Sequence, residues 1–307
     1  MKTVVSVSLG SSSRDHVAEV EWLGERLSIT RRGTDGDFDR AVALLKELDG
    51  QVDAIGLGGI DVYLYVGGKR YVIGDGLKML QAVKTTPVVD GSGVKNTLER
   101  DAVRHLARIG LLTPATKVLL VSSLDRFGMA EALVELGCDV TFGDLIFTLG
   151  IDYPIKTLAE VEELAEKYKT RMEKLPFTFF YPTGAKQDKA PADNPTFARY
   201  YREAEVVAGD FHFVRKFMPD DMAGKIVLTQ TTTATDVELL RQRGVRMLIT
   251  TTPVLGGRSF ATNVIEAALV ALSGNGRADL TAEEYQSLIQ RLDLKPTVQE
   301  LNTQTVR

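Results

Sequence analysis

The stretch from Lys117 to Asp144, KVLLVSSLDRFGMAEALVELGCDVTFGD, constrains the fold of this chain more than any other. Its apolar run Val118 to Val121 is typical of a strand buried in a parallel sheet, and a helical segment and a second apolar run follow it. The pattern therefore predicts a βαβ unit. Its spacing matches a dinucleotide-binding unit at two helix-face residues, a turn glycine, a second-strand apolar residue and a terminal acid, namely Ala130, Leu133, Gly137, Val140 and Asp144.

The loop of this unit departs from the dinucleotide-binding fingerprint. Val121, Ser123 and Arg126 occupy its three glycine positions, so the main chain cannot approach a pyrophosphate in the usual way. Two arrangements would still bind phosphate. The side chains of Ser122, Ser123 and Arg126 could supply donors beside the helix N-terminus, or Gly128 could be the close-packing glycine of a longer loop. A third interpretation is that the unit only builds the sheet.

Apolar runs after residue 113 predict six parallel strands, which cover 118–121, 140–142, 177–181, 205–209, 226–229 and 247–250. Two βαβαβ halves of this kind form a doubly wound, Rossmann-like sheet with the strand order 3-2-1-4-5-6. The preceding part of the chain, with its Gly67-Gly68 hairpin, predicts a mixed α/β domain. The expected division of this α/β protein is therefore an N-terminal domain over 1–112 and a dinucleotide-binding domain over 113–307.

Composition and charge exclude several classes of protein. The formal net charge is -4 and no basic patch reverses it, so a nucleic-acid surface is not expected. No apolar stretch approaches the roughly 20 residues of a membrane span, and the N-terminal apolar run is too short for a signal peptide. The single cysteine, Cys138, fits a reducing compartment. These features predict a cytoplasmic protein without a membrane partner.

Small polar residues follow the strands of the expected C-terminal sheet. In such sheets, ligands bind beyond the carboxyl ends of the strands, although turns and helix caps also use these residue types. His212 follows the fourth strand, where it could act as a general acid or simply begin a helix. The residues expected to bind the cofactor are Ser122, Ser123, Arg126, Asp144, Thr231, Thr232 and Thr252, with Asp144 on the ribose hydroxyls.

Further candidates lie in two other loops. Arg258 is a fork-shaped donor for an anionic group, and Asn263 follows it at the start of a helix. The loop Asp90-Gly91-Ser92-Gly93 predicts an anion nest, in which Lys95 and Asp90 could serve as proton donor and orienting carboxylate. Asp61, at another strand end, could face the same site. The structural alternatives are a mobile loop around Arg258 and a solvated surface lysine, and no histidine spacing predicts a metal site.

Several longer stretches resemble a known family. The stretches GDFHFVRKFMP, YPTGAKQ, TTTATDVELLRQRGVRMLITTTPVLGGRSFATNVIEA, VDGSGVKNTLER and VDAIGLGGIDVYLY are similar to proteins grouped as quinate 5-dehydrogenases. The resemblance implies an NAD(P)-dependent dehydrogenase related to shikimate dehydrogenases, with Lys95 and either Asp90 or Asp101 standing for the catalytic lysine and aspartate of that group. The glycine-rich cofactor loop of the group is absent here, and Ser6 and Ser8 match its substrate serines only loosely.

The favoured hypothesis is an oxidoreductase that transfers a hydride between NAD or NADP and a small hydroxylated, carboxylated substrate, such as a quinate- or shikimate-like polyol acid. Lys95 and Asp90 would be catalytic, and Arg258, Asn263 and Ser92 would bind the substrate. The alternative is a Rossmann-type protein that binds a nucleotide or metabolite without hydride chemistry, and a third hypothesis is a transferase using S-adenosylmethionine. The expected partners are the small-molecule substrate and, as a further option, a second copy of the chain.

Overall fold

The computed structural model describes residues 1–174, 176, 195–255 and 257–303. By packing, the chain divides into two units, each built from three segments. Unit 1 comprises Met1–Thr97, Ala165–Lys189 and Ala261–Leu294, and unit 2 comprises Leu98–Leu164, Ala190–Phe260 and Lys295–Arg307. This division differs from a single boundary near residue 113, because the segment that follows Phe260 packs with the N-terminal part of the chain.

The helices and strands alternate along most of the chain. The strands are β1 (Lys2–Ser8), β2 (His16–Trp22), β3 (Glu25–Gly33), β4 (Ala54–Gly58), β5 (Tyr63–Val66), β6 (Lys69–Val72), β7 (Val88–Val89), β8 (Lys117–Leu120), β9 (Asp139–Phe142), β10 (Val206–Ala208), β11 (Ile226–Thr229), β12 (Met247–Thr250), β13 (Val254–Leu255), β14 (Arg258–Ser259) and β15 (Thr297–Glu300). The α-helices are α1 (Phe38–Leu48), α2 (Gly74–Gln81), α3 (Ser92–Arg108), α4 (Phe127–Glu135), α5 (Leu158–Lys174), α6 (Pro195–Glu203), α7 (Phe211–Phe217), α8 (Ala234–Gln242), α9 (Thr262–Ser273) and α10 (Ala282–Arg291). A 3-10 turn covers Ser12–Arg14, and a π-helical turn covers Asp144–Thr148. Within the described ranges, no helix combines the length and the apolar character that a membrane crossing requires.

The described part of unit 1 has a five-stranded sheet in the order β2-β3-β1-β4-β7. Strands β3, β1, β4 and β7 are parallel, and β2 joins β3 as an antiparallel hairpin. The central strands β1 and β4 are buried along most of their length, as expected for strands covered on both faces. Helix α9 packs against β1 and β4. Gly56 makes this approach possible, because a Cβ atom there would lie 2.7 Å from the carbonyl oxygen of Asn263.

Among the described residues, unit 2 has a six-stranded sheet in the order β15-β12-β11-β10-β8-β9. The five strands from β12 to β9 are parallel, and β15 adds an antiparallel edge. The expected third strand, 177–181, lies outside the described residues, so the complete order 3-2-1-4-5-6 stays a prediction. Strand β15 was not predicted from the sequence, because a four-residue strand with three exposed side chains has no recognisable alternation.

The predicted βαβ unit is present as β8, α4 and β9. Val118 pairs with Val140 across the two parallel strands, and the buried face of α4 includes Ala130 and Leu133. Gly137 has a φ of 88° between helix and strand, a left-handed conformation that favours glycine. The structure therefore confirms a mixed α/β chain with mainly parallel sheets, and it places the ends of β8 and β9 at one edge.

Candidate functional site

In unit 2, the buried carboxylate of Asp144 accepts hydrogen bonds from the turn between β8 and α4. Its Oδ1 accepts hydrogen bonds from the main-chain N–H groups of Ser123 at 2.9 Å and Leu124 at 3.0 Å. Its Oδ2 also accepts a short hydrogen bond from the Ser123 hydroxyl. Burial raises the pKa of the Asp144 carboxyl above its ordinary value, while these hydrogen bonds oppose the rise. The carboxylate expected to hold a ribose is therefore used within the turn.

Arg126, which directly precedes helix α4, is a buried ion-pair partner rather than a phosphate ligand. Its guanidinium group contacts Glu99 closely, Asp125 at 3.5 Å and Asp210 at 3.3 Å. Arg126 is only 2% exposed. Because three carboxylates surround one guanidinium group, its positive charge is already balanced, which argues against the expected role in binding a phosphate.

The threonines at the strand ends make mostly internal contacts. The main-chain N–H of Thr232 donates to the hydroxyl of Ser259 at 2.8 Å, and the two hydroxyl groups lie 2.9 Å apart. The hydroxyl of Thr252 donates to the carbonyl of Phe260 at 2.5 Å. Ser122 accepts a long hydrogen bond of 3.5 Å from the main-chain N–H of Asp210. These side chains hold the loops together instead of facing a cofactor.

Two neighbouring residues that the sequence analysis did not single out are exceptions. Gln230 and Thr251 directly follow Thr229 and Thr250, which are paired in β11 and β12. Both side chains are buried, and the Gln230 Oε1 and Thr251 Oγ1 atoms have no hydrogen-bond partner among the described residues. Thr231, between Gln230 and Thr232, has a φ of 64°, which is strained for a β-branched residue. In the sequence, the one indication that Gln230 and Thr251 belong to a site is their position at the ends of predicted strands.

In unit 1, Asp90 organises the loop that follows β7. Its Oδ2 accepts hydrogen bonds from the main-chain N–H groups of Val62 at 2.6 Å and Tyr63 at 2.9 Å. Its Oδ1 accepts from the N–H of Ser92 at 3.0 Å and from the Ser92 hydroxyl at 2.5 Å. Four donors thus bind the two carboxylate oxygens of Asp90. The Ser92 hydroxyl, which was expected to contact the substrate, is one of these donors.

Lys95, which was expected to act as a proton donor beside Asp90, forms an ion pair with Asp61. The Nζ atom lies 2.7 Å from the Asp61 Oδ1 atom, and the two side chains are only 10% and 8% exposed. Asp61 follows β4, and Lys95 lies on the first turns of α3. The expectation of a solvated surface lysine is therefore also wrong, because the pair is buried at the end of a strand.

The predicted anion nest of unit 1 is occupied by a protein carboxyl group. The main-chain N–H of Gly91 donates to Glu266 Oε2 at 2.6 Å, and the Tyr285 hydroxyl donates to Glu266 Oε1 at 2.6 Å. A Cβ atom at Gly93 would overlap Glu266 Oε1, so the glycine makes room for this carboxyl group. Burial, reinforced by Asp90, raises the pKa of Glu266 to about 8. The group is therefore mainly protonated at neutral pH.

The remaining predicted substrate residues fall in different units. Asn263, at the start of α9 in unit 1, donates its side-chain amide to the Ser6 hydroxyl at 2.8 Å. Arg258 is buried in β14 of unit 2. Among the residues that the structure describes, no group of three or more His, Cys, Asp or Glu side chains could hold a metal ion.

Two α/β units with mainly parallel sheets define the structural class of this protein. A family model described as a domain of unknown function, DUF8754, matches residues 93–301. This match covers more than half of the chain, so the protein belongs to that family. A second model, also described as a domain of unknown function, DUF8753, matches residues 3–90. No curated protein matches the chain.

Solved structures that match this chain share little sequence with it. A sugar-binding protein of an ABC transporter from Bacillus halodurans is 11% identical over 98% of this chain and 97% of its own, with a TM-score of 0.41. A glucose-galactose binding protein from Geobacillus stearothermophilus is 10% identical over 98% and 97%, with a TM-score of 0.37. An NAD-dependent malic enzyme from Thermotoga maritima is 12% identical over 95% and 84%, with a TM-score of 0.35.

The expectation of an oxidoreductase that transfers a hydride to or from NAD or NADP is wrong. The contacts within unit 2 argue against a dinucleotide. Asp144 takes the main-chain donors of the β8–α4 turn, and carboxylates balance the charge of Arg126. A pyrophosphate needs such donors and positive charge. The site therefore lacks the chemistry on which the hydride-transfer hypothesis depended.

Proposed function

We propose that this chain is a small-molecule-binding protein, and that its ligand contacts the carboxyl ends of β10, β11 and β12 in unit 2. The supporting observation is the pair of buried atoms Gln230 Oε1 and Thr251 Oγ1, which have no partner within the described part of the chain. Leaving a buried polar atom unpaired costs about 1–3 kcal/mol. A ligand that donates hydrogen bonds to both atoms would recover this free energy on binding.

The main chain at this edge gives the proposal independent support. Thr231 directly follows Gln230 and holds a positive φ of 64°, a conformation that costs about 1–3 kcal/mol. Backbone strain of this kind concentrates at ligand sites, where it fixes the direction of neighbouring side chains. The carboxyl edge of a parallel sheet is also where α/β proteins bind their ligands.

The first test measures the melting temperature of the full chain with single compounds from a panel of monosaccharides, amino acids and nucleosides. At least one compound is expected to raise the melting temperature of the unchanged chain. Gln230→Met and Thr251→Val keep the side-chain size but remove the unpaired atoms, so each is expected to remove most of this increase.

The control variant is Asp139→Ala, at the exposed amino end of β9, which should retain the ligand-induced increase. The proposal fails if no compound raises the melting temperature. It also fails if both Gln230→Met and Thr251→Val respond to the ligand as strongly as the unchanged chain does.

A further inference from the structure

We infer that the ligand of this unit 2 site is an uncharged polyol of monosaccharide size, and that phosphate and carboxylate groups are excluded from the site. The inference rests on the proposed function and extends it to the class of ligand. An anion must receive hydrogen bonds, whereas a polyol brings hydroxyl donors of its own. The two classes can therefore be distinguished by the hydrogen-bonding groups that the strand ends present.

The donors that would suit an anion are already used by the protein. Asp144 accepts the main-chain N–H groups of Ser123 and Leu124 in the β8–α4 turn, which is the position where a dinucleotide-binding sheet receives a phosphate. The guanidinium group of Arg126 contacts three carboxylates, including Asp210 at 3.3 Å. A phosphate would have to displace a buried carboxylate from one of these groups.

Acceptors dominate at the neighbouring strand ends. Asp210 follows β10, Gln230 follows β11 and Thr251 follows β12, and these three strands are adjacent in the sheet. The Asp210 side chain is 19% exposed, and an ionised carboxylate accepts hydrogen bonds but cannot donate them. The Gln230 Oε1 atom is likewise an acceptor. Adjacent strands lie about 4.8 Å apart, a spacing that hydroxyl groups on opposite sides of one sugar ring can reach.

Electrostatic repulsion would strengthen the discrimination against anions. Asp210, Glu99 and Asp125 carry formal negative charges around Arg126. A negative ligand group about 6 Å from the Asp210 carboxylate would be disfavoured by roughly tenfold in affinity at a local dielectric constant near 40. A hydroxyl group meets no such penalty and can donate to the same carboxylate.

The experiment is isothermal titration calorimetry of the full chain with neutral pentoses, hexoses and cyclitols, each paired with its phosphate ester and, where one exists, its sugar acid. At least one neutral compound is expected to bind, and its phosphate ester and sugar acid are expected to bind at least about tenfold more weakly. Asp210→Asn removes the charge but keeps an acceptor for the N–H of His212. In this variant the discrimination should fall to less than about threefold.

The possible outcomes separate the two proposals. If an anionic member binds as tightly as its neutral partner, or more tightly, and Gln230→Met and Thr251→Val weaken its binding, the polyol inference is overturned while the proposed function stands. If Asp210→Asn leaves the discrimination unchanged, the explanation through Asp210 is overturned. If no member binds, the polyol inference is overturned, while the proposed function stands as long as an amino acid or nucleoside raises the melting temperature of the unchanged chain. If a member binds but Gln230→Met and Thr251→Val leave its binding unchanged, the proposed function fails and the inference fails with it.

Discussion

Asp144 receives the main-chain N–H of Ser123 at distances of 2.9 Å and 3.1 Å from its two carboxylate oxygens. A protein carboxylate thus occupies the donor position that a dinucleotide-binding sheet offers to a phosphate. Unit 1 has a comparable arrangement in its own loop, where the N–H of Gly91 donates to Glu266. In both units, the loops that the sequence suggested for anions are closed by the protein itself.

Replacing Asp144 should destabilise the chain strongly. Asp144→Ala leaves the main-chain N–H groups of Ser123 and Leu124 without their acceptor, and we expect the free energy of unfolding to fall by about 3 kcal/mol. Urea denaturation followed by circular dichroism would measure the change. The control is Asp139→Ala in β9, whose side chain is 55% exposed and whose loss should cost less than about 0.5 kcal/mol. Equal losses in the two variants would contradict the structural role of Asp144.

The stability of unit 1 should decrease as the pH rises through neutrality. Burial, with the charge of Asp90, raises the pKa of Glu266 from 4.5 to about 8. Because the folded pKa lies above the unfolded one, the stabilising contribution is complete below pH 4.5 and is lost progressively as the pH rises to about 8. The total loss should be on the order of 3–5 kcal/mol. Urea denaturation at a series of pH values between 5 and about 9 would measure it.

Glu266→Gln is the control for this pH dependence. The amide can still accept from Gly91 and can donate to the Tyr285 hydroxyl, but it does not ionise. The charged or titratable groups that influence Glu266 are Asp90, Lys95, Tyr285 and Tyr65, and all of them remain in the variant. The difference between variant and unchanged chain should therefore grow with pH. Parallel stability curves for the two proteins would show that Glu266 is not the titrating group.

The buried ion pair of Lys95 and Asp61 should be strongly coupled. Removing one partner leaves a buried charge, so Lys95→Met should cost about 3–5 kcal/mol, and a double-mutant cycle with Asp61→Asn should recover part of this loss. Lys78 and Asp75 form a more exposed pair at 2.8 Å, in which the lysine side chain is 68% and the aspartate side chain 19% exposed. Their coupling should stay below about 0.5 kcal/mol. Equal coupling energies would show that burial does not determine the strength of the Lys95 pair.

The ligand-free chain should not lose stability when the unpaired atoms of the unit 2 site are removed. Thr251→Val and Gln230→Met each remove a buried polar atom without a partner, so each should leave the free energy of unfolding unchanged or raise it by about 1 kcal/mol. Thr229→Val is the matched control. Its hydroxyl donates to the Gly209 carbonyl at 2.7 Å, so the variant should lose about 1–2 kcal/mol. Destabilisation of similar size at Thr251 would mean that its hydroxyl has a structural role.

Local patterns predicted several elements correctly. The Gly67-Gly68 turn joins β5 and β6 as expected. The βαβ unit around α4 also forms where its hydrophobic period indicated. These features depend on residues close together in the sequence, so turn chemistry and side-chain periodicity are sufficient to identify them.

The partners of the polar residues could not be predicted in the same way. Gly91 and Glu266 are 175 positions apart, and Ser6 and Asn263 are 257 positions apart, so no local pattern connects them. Lys95 likewise pairs with Asp61 from another strand end, although Asp90 is nearer in the sequence. A spacing that matched a dinucleotide-binding unit located Asp144 correctly, but it carried no information on which way the carboxylate turns.

The most direct test of the account is an NMR titration that follows the main-chain amides of Ser123 and Leu124 and the side-chain amide of Gln230. A neutral monosaccharide that binds should shift the Gln230 signal, whereas pyrophosphate at millimolar concentration should leave the signals of Ser123 and Leu124 in place, because Asp144 already holds these groups. Specific, saturable shifts of Ser123 and Leu124 with pyrophosphate, together with an unchanged Gln230 signal in the presence of every sugar, would contradict the account.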